Sequence, residues 1–226
     1  MTTSERRLQK IDIPSYSLKQ EKFNSVSHFI GVPLGIAINV VSLILFFAKN
    51  LPLSFFVGLL IFGSSVIALY LVSGLYHGEQ STNEKAKKIK RVLDHCTIYV
   101  LIAGTYTPIC IYIGQMHVIG YVVLGIEWFM AAIGIIINYI DFKNKCVQAM
   151  SMFLYLCLGW LILFSGAFIY LSRYAFIYIL LGGISYTVGS ILYGIGHKNL
   201  YFHSVFHVFV LLGTVLQTIG VLNLFI

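Results

Sequence analysis

Seven apolar runs follow one another along this chain, at 29–48, 53–76, 92–113, 118–140, 150–171, 174–194 and 203–225. Each is 20–24 residues long, the length an α-helix needs to cross a hydrocarbon core about 30 Å thick. Strands of a membrane barrel would instead alternate in segments of about ten residues. Small residues recur inside the runs, as in Gly63-Ser64-Ser65 and Gly182-Gly183, and allow close helix packing in lipid. Pro33 and Pro108 lie within runs and are expected to kink their helices. With 58% hydrophobic and 10% charged residues, the chain lies far from soluble domains, which carry about 25% charged residues. The 15% aromatic content also excludes a disordered chain. The expected fold class is all-α: an integral membrane bundle of seven transmembrane helices over 29–226, after a cytosolic N-terminal segment over 1–28. Seven such helices leave no room in 226 residues for a soluble domain.

The basic residues orient the bundle. Thirteen Lys and Arg fall on one side, in the N-terminal segment and the second, fourth and sixth loops, while only Lys49 and Arg173 fall on the other. Such an asymmetry marks the cytosolic face. The expected localisation is therefore a multi-pass protein of the cell membrane with its N-terminus cytosolic and its C-terminus outside. That excludes a G-protein-coupled receptor of the usual kind, whose N-terminus is outside. A retinal protein is excluded too, because no lysine lies within a run. Arg6 and Arg7 faintly resemble the start of a signal peptide, but the first apolar run begins only near Phe29 and lacks a small-residue exit, so it reads as an uncleaved span. Cys96, Cys110, Cys146 and Cys157 show no CxxC spacing and read as small apolar side chains, not a metal or disulfide framework.

Titratable groups at membrane depth are functional candidates. His77 ends the second run, Asp94 begins the third, and His203 and His207 open the seventh. The topology brings all four to the cytosolic interface. His203 and His207 are spaced i, i+4, so both imidazoles face one way, about 6 Å apart along the axis. Alone, such a pair can simply hydrogen-bond lipid headgroups. With His77 it makes a three-histidine set, and three histidines with an open fourth position suit zinc. Asp94 would bind the metal directly, or hold and deprotonate a water. Ser73 lies one turn before His77 on the same face and could bond that water or a reacting carbonyl. His95 points about 100° away from Asp94, His117 falls on the outer side and His197 in a loop; none reads as a ligand. Glu127, near the middle of the fourth run, reads as hydrogen-bonded or protonated, with a cavity role open. The basic stretch from Lys85 to Arg91 is a topology signal that also suits anionic headgroups.

Several of these segments occur together. They are Ser73-Gly-Leu-Tyr-His77; Arg91-Val-Leu-Asp94-His95 with Ile98-Tyr99 and Ala103-Gly-Thr-Tyr-Thr-Pro108; His203-x-x-x-His207; and Glu21-x-x-Asn24-x-x-Ser27-His28. The combination resembles the hemolysin III family, within the wider superfamily of progestin and adiponectin receptors and alkaline ceramidases. The resemblance runs from about Glu21 to the C-terminus. It implies seven helices, a cytosolic N-terminus and a zinc site with ligands at His77, His203 and His207, a water-holding Asp94 and a motif serine at Ser73. Alkaline ceramidases are zinc-dependent lipid amidases, so the expected activity is zinc-dependent hydrolysis of a lipid amide or ester, with a membrane lipid as substrate or ligand. The alternative is a non-enzymatic membrane protein, either a sensor of lipid state with structural zinc or a cytolysin. A pore should line whole helices with polar residues, and these runs do not. The Glu21–His28 motif carries no derivable chemistry beyond an amphipathic lead-in, with Asn24 or Ser27 capping the first span.

Overall fold

The computed structural model describes residues 11–79, 83–196 and 199–226; Arg6, Arg7, Lys10, His197 and Lys198 lie outside these. All regular elements among the described residues are helical: α1 (Leu18–Phe29), α2 (Gly31–Lys49), α3 (Leu53–His77), α4 (Glu84–Gly114), α5 (Ile119–Asp141), α6 (Lys145–Gly159), α7 (Leu161–Phe164), a 3-10 turn (Ala167–Tyr170), α8 (Arg173–Gly196) and α9 (Tyr201–Leu222). Six helical segments are long and apolar enough to cross a membrane, α1 and α2 counting as one. This is a multi-pass membrane protein. Sequential helices pack as antiparallel pairs, α2 on α3, α3 on α4, α4 on α5 and α8 on α9, while α1 folds against α3 and α9.

α4 is the innermost helix, with 67% of its most apolar window buried, against 44% for α3 and α9 and 28% for α5 and α8. Hydrophobic burial does not drive helices together in lipid, so close backbone approach has to. A Cβ on Gly35 of α2 would stand 2.7 Å from the Gly63 carbonyl and 2.9 Å from the Ile67 amide, both on α3. Leu59, Phe62, Val66 and Tyr70 of α3 meet Leu101, Ile109 and Ile113 of α4 in the core this contact helps close.

Two runs depart from the uniform spans expected. The first is preceded by a helix, α1, that turns at Ile30 before α2 begins. Pro33 lacks the N–H that would bond the carbonyl of residue 29, so the break falls where the proline puts it. Ser17 caps α1 through a reciprocal box with Gln20. The α2 N-cap, Ile30, receives no side-chain bond, so Asn24 and Ser27 do not cap the first span as expected. Pro108 leaves α4 continuous; Gly58 faces it, and a Cβ there would come within 3.2 Å of the proline Cα. The run at 150–171 is the second departure. It divides into α6, α7 and the 3-10 turn, with breaks at Trp160 and at Gly166, whose φ is +71°. The Tyr106 hydroxyl sits at the first break, donating to the Gly159 carbonyl and accepting from the Ile162 amide.

Candidate metal centre

The C-terminal turn of α3 and the N-terminal turns of α9 come together at one end of the bundle. Their ring nitrogens converge: His203 Nε2 stands 3.3 Å from His77 Nε2 and 3.1 Å from His207 Nε2. One ligand atom from each of the three lies within 4.8 Å of the others. His77 and His207 are fully enclosed, at 0% and 1% exposure. On the other side of His77, Nδ1 meets the Glu21 carboxylate at 2.7 Å, and Lys87 meets the second Glu21 oxygen at 2.6 Å. A carboxylate only accepts, so His77 Nδ1 carries the proton and Nε2 presents its lone pair to the cluster.

The donor set fits zinc. Around a tetrahedral zinc with bonds of about 2.0–2.1 Å, ligand nitrogens stand roughly 3.3–3.4 Å apart. The two closest separations here, 3.1 and 3.3 Å, are near that spacing. Without an ion, three neutral imidazoles facing one another can share protons only pairwise, which leaves lone pairs opposed in a buried site. His28 stacks on His207 at 3.7 Å between ring centroids, and Tyr16 lies over His203 at 5.0 Å. Burial pushes the Tyr16 phenol well above its ordinary range, so it remains a neutral donor.

Ser73 and Asp94 are at the same level. Ser73 lies one turn before His77 on α3, and the Asp94 carboxyl on α4 is within reach of the Ser73 hydroxyl and in the field of His77 and Arg91. Both line a cavity of about 790 Å³ that also receives His28, His203 and His207. All five sequence-selected residues (Ser73, His77, Asp94, His203 and His207) therefore gather at one place. His95 lines the same cavity but packs against Phe142 and Tyr193. His117 stacks on Tyr170 at the opposite end. Glu127 is fully buried, lies outside this cavity, and neither carboxyl oxygen has a hydrogen-bond partner among the described residues.

Sequence reasoning missed the role of the Glu21 motif. Glu21, Asn24, Ser25, Ser27 and His28 are the buried residues of α1, and α1 packs against α3 and α9. The signal was a set of polar residues at helical spacing, which read only as an amphipathic lead-in with Asn24 or Ser27 capping the first span.

The haemolysin-III-related family model matches residues 16–218. This chain belongs to the hemolysin III family. The hemolysin-3 homolog of Bacillus subtilis (strain 168) is 39% identical over 202 residues, covering 88% of this chain and 91% of the relative. Hemolysin-3 of Bacillus cereus is 36% identical over 207 residues, covering 91% of each. In this hemolysin III protein the matched region spans the whole histidine cluster and the α1 face that holds it.

Proposed function

We propose that this hemolysin III protein is a zinc-dependent intramembrane hydrolase of lipid amide or ester bonds. The observation that supports it is the convergence of three buried imidazole nitrogens beside Asp94 and Ser73 at the wall of a large cavity. His77, His203 and His207 would hold the ion, and Glu21 would fix the His77 ring. When bound, zinc supplies Lewis-acid stabilisation of charge at a carbonyl oxygen and a nucleophile at neutral pH. Asp94 accepts a proton from the attacking water and returns it to the departing nitrogen or oxygen. The acyl–heteroatom bond breaks, the acyl carbon gains the water's oxygen, and the leaving group departs as amine or alcohol. Ser73 orients Asp94 through its hydroxyl.

The reading includes a topology. The interrupted run from α6 to the 3-10 turn makes a seventh crossing, so the N-terminus and metal centre face the cytosol and the C-terminus lies outside, in the cell membrane. Zinc content of the detergent-purified protein, with turnover of a panel of N-acyl and O-acyl lipids, tests the activity. Zinc near one per chain with hydrolysis is expected. Full zinc occupancy in the His203→Ala/His207→Ala variant would overturn the ligand assignment. Zinc-loaded wild type that hydrolyses nothing would favour the sensor alternative, and dye leakage from liposomes without hydrolysis would favour a cytolysin.

A further inference from the structure

We propose that the cavity selects a single-chain lipid whose headgroup carries net negative charge, bound at its mouth by Arg91, Lys143 and Lys145. This rests on the hydrolase reading and names the substrate class for that site.

The cavity is graded along its length. Five charged side chains line it among the described residues: Asp12, Arg91, Asp94, Lys143 and Lys145. Asp94 belongs to the histidine level. The lining carries three cations against two acids, with Asp94 in the field of Arg91 and the main-chain carbonyl of Asp12 bonding the Arg91 guanidinium. Asp141 offsets Lys143 only weakly, at 4.0 Å. Arg91 is 7% exposed and packs over the Phe142 ring, so its charge is sheltered from bulk water and acts strongly on a ligand beside it. Lys143 and Lys145 flank the N-terminus of α6, whose first turn has no acidic residue. That helix end therefore adds to the positive field.

Below the mouth the wall is mainly apolar, with Leu69, Ile98, Leu101, Met152 and Leu156, and carries scattered hydroxyl and amide groups at Thr105, Thr187 and Gln217. The cavity follows α9 from His203 to Gln217, a helical rise of about 21 Å. A pocket of about 790 Å³ has room for one acyl chain but not for both chains of a phospholipid. Arg91 precedes Asp94 by three residues, about 4.5 Å of helix. A headgroup at Arg91 thus leaves the first carbonyl of the attached chain at the level of Asp94 and the histidines. A headgroup without an anion would desolvate these cations with nothing to replace their water, and a zwitterionic one would bring a like charge beside them.

The test is equilibrium binding to the zinc-loaded protein in neutral detergent, with oleoyl lysophosphatidic acid, oleoyl lysophosphatidylcholine and mono-oleoylglycerol as probes. The anionic lipid is expected to bind at least about tenfold more tightly than the other two, and less so at high salt. Lys143→Gln/Lys145→Gln should reduce that preference by at least about threefold, with Arg91 still in place. Lys19→Gln/Lys22→Gln, which removes the same charge from exposed positions outside the cavity, should keep it. Glycerol phosphate should not compete, because the chain supplies most of the binding. Equal affinity for the three lipids overturns the proposal. So does a preference undiminished by Lys143→Gln/Lys145→Gln or reduced equally in Lys19→Gln/Lys22→Gln. Competition by glycerol phosphate as strong as by the lipid would assign the mouth to a free phosphate and also overturn it. The readout is binding, so a protein without turnover sinks the hydrolase reading while leaving this preference measurable, and a failed preference leaves the metal measurement intact.

Discussion

Glu21 fixes His77 from 56 residues away, through a 2.7 Å contact to Nδ1. A carboxylate in that position orients the ring and raises the basicity of Nε2. Glu21→Gln keeps the shape but loses the charge and leaves Lys87 without its ion pair. Zinc affinity is expected to fall about 10–100-fold, as measured by chelator competition; unchanged affinity would remove Glu21 from the site. Asp94→Asn separates chemistry from metal. Three imidazoles still hold the ion, so zinc content and fold should persist while hydrolysis falls at least about 10²-fold. Loss of zinc with no hydrolytic defect would make the centre a structural staple instead. The histidines and Asp94 were legible in the sequence because their chemistry is rare at membrane depth and their positions in the runs fix a common level. Glu21 was not, because its meaning depends on α1 folding back onto α3 and α9, and the polar spacing within 18–29 marks a face without saying what covers it.

At the scale of elements, the runs were legible as helices because lipid tolerates little else. Their continuity was not. Apolar composition states that a segment lies in lipid, but not whether its hydrogen-bond ladder is whole. The break after Gly159 depends on the Tyr106 hydroxyl, from another helix, which binds the Gly159 carbonyl and the Ile162 amide. The same distinction separates glycines that look alike in sequence. Gly35 touches the α3 backbone, whereas a Cβ on Gly125 meets nothing within 4 Å. Gly35→Ala forces α2 and α3 apart and should destabilise by about 1–3 kcal/mol. Gly125→Ala relieves helix entropy and should stabilise by up to about 1 kcal/mol. Thermal unfolding in one detergent compares the two; a shift of the same sign and size for both would show that the α2–α3 contact does not matter to stability.

For the whole molecule the question is whether the interrupted run crosses the membrane or returns. α4 serves as a ruler, running from the Asp94 level to Gly114 at the opposite end. The Tyr155 hydroxyl of α6 donates to the His95 carbonyl, next to the metal centre. Fifteen residues later Tyr170 stacks on His117, just beyond the far end of α4, and Ser172 bonds Asn223 after the last helix. A segment that dipped and came back would end near the level of His95. In the seven-crossing reading proposed above, nine of the eleven Lys and Arg among the described residues would fall on the side of the histidine cluster, which would make that side cytosolic. A reporter fused after Ile226 is therefore expected outside the cell, and one inserted beside Lys87 in the cytosol. Both reporters in the cytosol would mean an even number of crossings. The run from α6 to the 3-10 turn would then re-enter from the side it left, and α9 would be inverted. His203 and His207 would be carried to the face opposite His77, and neither the shared depth of the three histidines nor the metal centre built on it would survive.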